Sequence, residues 1–450
     1  MFSKILVANR GEIALRIIRA ARELGVKTVA VYSESDRLSL HTMLADEKIC
    51  IGPARSQDSY LNIPNILSAA EITGADAIHP GYGFLAENAR FAEICESSGL
   101  TFIGPPPAII RLMGNKQRAR EEMKKAGLPV IPGSERVVGD IAEARKIAQK
   151  IGLPVILKAA AGGGGKGMRV VRTMGQLEEQ FAMAQNETKA AFGDPSLYIE
   201  KYIPRARHIE VQVVADKKGN IVALGERECS IQRKYQKLIE ETLSPFVDDR
   251  LRKKMLRAVR EAAEKIGYES LGTFEFLVDE KKRFYFMEAN TRIQVEHPIT
   301  EMLYNIDLVE QQIRIAAGEK LSLPEDLEPR GHCIECRLNA EDPENFTPSP
   351  GKIELLVLPG GEGIRVDSAV YCGWTIPPDY DSLVAKICAI APTRELALRK
   401  IKAALEMTTI AGIKTNIPLH LRLLANVDFQ AGNYDTQFLE RFLRGEVSEE

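Results

Sequence analysis

The residues with the most chemistry to offer lie within 272–298, in the run GTFEFLVDEKKRFYFMEANTRIQVEHP. Phe274, Phe276 and Val278 alternate with Thr273, Glu275 and Leu277, a pattern that predicts a strand. Residues 279–283 make a charged turn and 284–287 a second strand. Folded about that turn, Glu275 lies roughly opposite Glu288. Facing like charges destabilise a strand pair, and a divalent cation with oxygen ligands would neutralise them. Beyond Glu288, the side chains of Asn290, Arg292, Gln294 and Glu296 are polar, while Ala289, Ile293 and Val295 fill most of the gaps. An extended backbone would put all the polar ones on one face with Glu288. A solvent-exposed strand shows the same alternation. Oxygen ligands leading into a guanidinium, an amide and another carboxylate suit an anion held beside a metal.

The second signal is AGGGGKG at 161–167, between predicted strands at 154–158 and 168–172. Successive glycine N–H groups can close around phosphate oxygens. This is not a P-loop, because Lys166 is followed by Gly167 and a strand segment rather than by Ser or Thr and a helix. A strand–glycine–strand hairpin reads as a flap over a nucleotide, with Lys158 placed to meet negative charge; a flexible surface hairpin is the alternative.

These groups need elements to hold them. Residues 1–113 alternate strands (5–8, 28–32, 48–51, 77–79, 101–103) with helices (12–24, 63–71, 88–97), which argues for a parallel sheet covered on both faces. The first strand leads into ANRGEIA, without the GxGxxG fingerprint, so a nucleotide is weakly supported there. A helix at 115–130 ends at Gly127, and a compact α/β block at 134–203 carries the glycine loop. Strands at 209–215 and 221–228, a basic helix at 248–266, a helix at 306–317 and a mostly β section at 332–390 complete the pattern.

At 450 residues, 45% hydrophobic and 27% charged, the chain is long enough for two or three globular domains. A net charge of −2 gives no signal for nucleic acid or an acidic membrane, and no run is apolar enough to span a bilayer. Seven scattered cysteines point to reduced thiols and a cytoplasmic protein; the CxxC of Cys333 and Cys336 has no second pair to make a zinc site.

Nine strings resemble, in order and end to end, those of the biotin carboxylases, a branch of the ATP-grasp enzymes. They are ANRGEIALRIIRA (8–20), IHPGYGFLAEN (78–88), IRLMGNK (110–116), KAAAGGGGKGMRVV (158–171), QRKYQKLIEE (232–241), GTFEFL (272–277), NTRIQVEHPITEM (290–302), ECRLNAEDP (335–343) and GIKTN (412–416). The resemblance implies an α/β and α+β protein: an N-terminal Rossmann-like parallel-sheet domain (1–113), an ATP-grasp domain (114–330) with a mobile lid (134–203), and a mixed C-terminal domain (331–446). It implies ATP-dependent carboxylation of biotin by bicarbonate through carboxyphosphate. Glu275, Glu288 and Asn290 would then hold a pair of magnesium or manganese ions. Lys116, Lys158, His208, Gly164 and Gly165 would bind the phosphates, and Met168, Ile203, Leu277 and Gln437 the adenine, whose edge meets Glu200, Lys201, Tyr202 and Ile203. For Met168 and Leu277, plain core packing is the simpler reading. Gln232 and Tyr235 fall in the nucleotide-binding run.

By the same resemblance Lys237, Arg292, Gln294 and the Val295 N–H form the bicarbonate site, Glu296 is its general base, and Arg337 steadies the biotin enolate. An isolated Arg337 would otherwise read as an ordinary surface arginine. Tyr82 and its neighbours Gly83 and Phe84 would border biotin. The chain departs from the family at Tyr235, where His is usual, and mildly in MEAN (287–290) and EETLSP (240–245). No MKM biotinylation motif occurs. Biotin is therefore expected on a separate biotin carboxyl carrier protein, with separate carboxyltransferase subunits and a homodimeric carboxylase. The final carboxyl acceptor is not legible. Two other readings stay open: an ATP-grasp ligase that activates a different acid, and a nucleotide-binding scaffold without catalysis.

Overall fold

A computed structural model describes residues 1–160, 168–324 and 327–447. The N-terminal strands β1 (Lys4–Val7), β2 (Lys27–Ser33), β3 (Glu47–Gly52), β4 (Ala77–His79) and β5 (Thr101–Phe102) form a parallel sheet in the order β3-β2-β1-β4-β5. Helix Gly11–Glu23 covers one face and helices Ile63–Thr73 and Ala89–Ser97 the other, as the sequence alternation requires. The helix expected at 115–130 is Lys116–Ala126, and it is preceded by a helix that was not expected, Pro107–Gly114. Asn115 separates them, and its side chain accepts from the Arg118 N–H as the N-cap of the second. Gly127 ends that helix in the left-handed conformation.

Strands β6 (Val155–Ala159), β7 (Arg169–Val171) and β8 (Leu197–Lys201) form a small antiparallel sheet, β7-β6-β8. With helices Ile141–Ile151 and Leu177–Phe192 it builds its own core around Val155, Leu157, Phe181 and Ile199. The glycine loop, including Gly164 and Gly165, lies outside the described residues.

The main sheet joins β9 (Arg207–Ala215), β10 (Ile221–Arg233), β11 (Gln236–Thr242), β12 (Ser270–Val278), β13 (Phe284–Asn290) and β14 (His332–Asn339) to strands Leu383–Ala391 and Ile364–Ser368. Its order begins β13-β12-β9-β10-β11-β14. On its back, Phe274, Phe276, Phe284 and Phe286 pack on Leu251, Met255 and Val259 of the basic helix Asp249–Lys265. Each fully buried aromatic contributes about 1.5–3 kcal/mol, so this layer fixes the hairpin whose other face carries the acids. Among the described residues no helix is long and apolar enough to cross a membrane.

Strand β11 and helices Leu40–Leu44 and His297–Tyr304 were not expected from the sequence. The extended run foreseen through Glu296 stops at Asn290; residues 291–296 form bends and turns that lead into helix His297–Tyr304. Cys333 and Cys336 point to opposite faces of β14, one packing with Cys388 and the other in the C-terminal core, so they share no ligand geometry.

Candidate active site

Hairpin β12–β13 places Glu275 directly opposite Glu288. A regular hairpin would not. Val278 pairs with Phe284 and Phe276 with Phe286, so regular pairing would set Met287 against Glu275 and turn Glu288 towards the aromatic layer. The register shift between Glu275 and Phe276 leaves Met287 as the extra residue of a bulge. The bulge turns Glu288 and Asn290 to the face of Glu275 while Ala289 joins the core. A second bulge acts on β11. Ile231 pairs with Ile239 but Gln232 with Lys237, which leaves Leu238 extra. Leu238 and Ile239 are both in the core, and Lys237 is freed to face the acids.

Glu275 is buried and receives four donors. His208 Nε2 lies 2.9 Å from its Oε2, while Asn290 Nδ2 (2.8 Å), Gln294 Nε2 (3.0 Å) and Lys237 Nζ (3.2 Å) reach its Oε1. Burial alone would push this carboxyl up, but Lys237 and His208 hold it well below the usual carboxylate range. Burial would likewise lower His208, and Glu275 raises it instead. Glu288 is more open and pairs with Lys116 at 3.0 Å. Lys116 is drawn up chiefly by Glu288, with Glu200 and Glu275 contributing. The two acids and Asn290 therefore share one face and offer the hard oxygen donors that magnesium prefers. The tighter group of His208, Glu210 and Glu275, with ligand atoms within 4.8 Å of one another, is instead bridged by an ammonium. Lys237 already occupies it, donating to Glu210 at 2.6 Å and to Glu275.

Lys237 also donates to Glu296 Oε1 at 2.6 Å, and Arg337 to Glu296 Oε2 at 2.8 Å. Burial works against ionising Glu296, yet Lys237 and Arg337 hold it well below the ordinary value. Arg337 pairs as well with Glu240, which burial pushes up to about 7. Arg292 donates to Gln294 Oε1 (2.8 Å) and Asn290 Oδ1 (3.0 Å), and its Nε to Glu87 Oε2 (2.9 Å). Asn290, Arg292, Gln294 and Glu296 thus converge although they do not share a strand: the turn brings back side chains that alternation alone would have lined up. Tyr82 donates to Glu12.

The nucleotide-type residues gather between the main sheet and the small sheet. Lys158 and Arg120 both pair with Glu200. The Lys201 ammonium holds the carbonyls of Gly152 and Leu153, and the Lys201 backbone N–H donates to the Pro132 carbonyl. The Tyr202 N–H bonds Pro154, and its hydroxyl accepts from Gln437 Nε2 at 2.6 Å. Leu277 pairs in register with His208, on the acid face, while Ile203 is half-buried just past β8. Gln232 pairs with Lys237 across the β10–β11 turn. That turn is two residues long, with Lys234 and Tyr235 both at positive φ (47° and 69°), and Tyr235 sends its hydroxyl to Met168 Sδ at 3.2 Å.

Sequence reasoning missed three groups. Arg227, fully buried, binds Glu210 at 2.5 Å and also Gln212, Thr273 and Thr300. Glu210 is pushed up by burial and by repulsion from Glu296. Glu87 clamps the Arg292 guanidinium from the turn after β4. Glu87 stands inside the quoted IHPGYGFLAEN string and was recoverable; Arg227 and Glu210 carry no spacing signal.

A family model described as the biotin carboxylase N-terminal domain matches residues 1–110. A carbamoyl-phosphate synthase L chain ATP-binding domain model matches 115–324, and a biotin carboxylase C-terminal domain model 335–441. The chain is 55% identical over 445 residues to biotin carboxylase 1 of Bacillus subtilis, covering 98% of this chain and 99% of that one. It is 56% identical over 445 residues to the biotin carboxylase of Haemophilus influenzae, again covering 98% and 99%. It superposes with a TM-score of 0.92 and 51% identity, over 98% of each chain, on the biotin carboxylase domain dimer of Hydrogenobacter thermophilus 2-oxoglutarate carboxylase. That structure is a complex with MgADP, ADP and bicarbonate.

Proposed function

The chain belongs to the biotin carboxylase family, and on that premise we propose that it uses ATP and bicarbonate to carboxylate biotin, releasing ADP and phosphate. The observation that carries the reading is the junction at Glu296. One buried carboxylate is held by both Lys237 and Arg337, beside an arginine and an amide, Arg292 and Gln294, suited to a planar oxyanion. Lys116, Lys158 and His208 neutralise the phosphates, while Met168, Ile203, Leu277 and the 200–203 segment with Gln437 take the base and its edge; Gly164, Gly165, Gln232 and Tyr235 complete this nucleotide set. Glu275, Glu288 and Asn290 would hold magnesium or manganese, which supplies charge neutralisation at the transferring phosphoryl group.

In this chemistry a bicarbonate oxygen attacks the γ-phosphorus as the bond to ADP breaks. Lys237, Arg292, Gln294 and the Val295 N–H orient the anion, and Glu296 takes its proton. Carboxyphosphate then yields CO2 and phosphate. Biotin N1′ gives up its proton to phosphate, and Arg337 steadies the resulting enolate as it captures CO2. Tyr82, with Gly83 and Phe84, borders the biotin ring. The domain limits that fit this division are 1–113, 114–330 with a lid at 134–203, and 331–446.

The coarse partnership follows from the family: a biotin carrier, a carboxyltransferase and a second copy of the chain. That the carrier is a separate protein, and that the chain works in the cytoplasm, is the finer reading. ADP release is the test. It should rise with bicarbonate and further with free biotin; background release with both present would refute the function, and stimulation by another acid but not bicarbonate would favour a different ATP-grasp ligase.

A further inference from the structure

A buried lysine ties together parts of the chain that lie hundreds of residues apart. Lys386, on strand Leu383–Ala391, is fully buried. Its Nζ donates to the carbonyl of Val295 at 2.9 Å, pairs with Glu12 Oε1 at 3.1 Å, and lies 3.8 Å from Asp367 Oδ2. Asp367 is already bound by Arg365 through both oxygens. Glu12 Oε1 also accepts from the Tyr82 hydroxyl.

On the other side of Val295, the Gln294 carbonyl accepts from His297 Nδ1 at 2.7 Å. A carbonyl only accepts, so Nδ1 carries the hydrogen; burial lowers His297 to about 3, which keeps the ring neutral. A trans peptide holds its C=O and N–H on opposite sides of one plane. Fixing the Gln294 oxygen therefore fixes the direction of the Val295 N–H, and Lys386 fixes the following peptide. His297 and Lys386 together leave Val295 little freedom to turn.

We infer that Lys386 is a positioning residue for both substrates: its ammonium locks the Val295 peptide of the bicarbonate loop to Glu12, which in turn aims the Tyr82 hydroxyl of the biotin-bordering turn. The inference rests on the proposed function for the identity of those two subsites. A fully buried ion pair contributes little net stability compared with apolar packing of the same volume. Its three partners, by contrast, come from the N-terminal helix, the loop after β13 and the neighbouring strand Ile364–Ser368, and the three N–H donors of one ammonium face all of them from one point.

The test is steady-state ADP release by Lys386→Met and by the double variant Lys386→Met/Glu12→Gln, varying bicarbonate, free biotin and ATP in turn. Removing one charge-assisted hydrogen bond from each subsite should raise KM for bicarbonate and for biotin about ten- to hundredfold, with KM for ATP within about twofold of the parent. The double variant leaves no stranded Glu12 carboxylate, while Asp367 keeps both of its bonds to Arg365, and it should keep the raised bicarbonate KM; it is also the variant to read if the single one does not fold. Parental KM values for both substrates would overturn the inference. So would restoration of the bicarbonate KM in the double variant, which would trace the effect to an uncompensated Glu12. A uniform fall in kcat and thermal stability with no KM split would overturn it as well. A parent protein without bicarbonate- and biotin-dependent turnover would instead refute the underlying function.

Discussion

Glu296→Gln isolates the proposed base from the binding site around it. The carboxylate accepts from Lys237 at 2.6 Å and from Arg337 at 2.8 Å. A glutamine keeps one accepting oxygen, so one of the two charge-assisted bonds is lost and an amide N–H faces a cation. That costs about 1.5–3 kcal/mol of stability, within the roughly 5–15 kcal/mol a folded protein holds, so the variant should be recovered folded. Loss of a positioned base removes about 10²–10⁴ in rate, or about 2.7–5.5 kcal/mol of barrier. Because Lys237 and Arg337 hold Glu296 ionised far below neutrality, no acid limb near pH 6–7 in the parent profile should belong to it. The assay is ADP release with saturating ATP, bicarbonate and biotin, beside titration with a non-hydrolysable ATP analogue. Turnover should fall at least about a hundredfold with analogue affinity unchanged. A kcat within about threefold of the parent would show that the proton goes elsewhere.

Glu275→Gln removes the carboxylate on which four donors converge, and should raise the magnesium concentration for half-maximal ADP release about tenfold or more; an unchanged magnesium titration would refute its role as a ligand. Lys158→Met should raise KM for ATP about tenfold with little change in KM for bicarbonate, and equal effects on both would argue against a phosphate contact. Glu241, held by Arg394 and His332 against the opposing effect of burial, lies at about 2. A depressed acid contributes stability that is complete above its unfolded value near 4.5 and is lost as pH falls towards 2, up to about 3 kcal/mol. Thermal unfolding of Glu241→Gln should therefore fall less steeply than the parent between about pH 5 and 3, and parallel curves would refute the linkage. Adding an ATP analogue should slow hydrogen exchange in residues 162–167, as a closing lid requires; unchanged exchange would count against closure.

Periodicity is a local property, and it carried the local features of this protein. The alternation of Phe274, Phe276 and Val278 with Thr273, Glu275 and Leu277 set the faces of β12, and the N-terminal strand–helix alternation set a parallel sheet. The chemistry of Glu275, Arg292, Gln294, Lys237 and Glu296 was readable as residue types, and the family followed from strings spread over the whole chain. Long-range pairing decided the rest. Which residue of β13 or β11 is extra depends on a partner strand, so the bulges at Met287 and Leu238, and with them the direction of Glu288 and Lys237, had no local signature. Burial is likewise a property of the fold: Glu210, Arg227, Glu240 and Lys386 look like ordinary charges in sequence and become fixed points only when the sheets close around them. A charge removed from water must find its counter-charge wherever the fold places one, and no spacing along the chain encodes that distance.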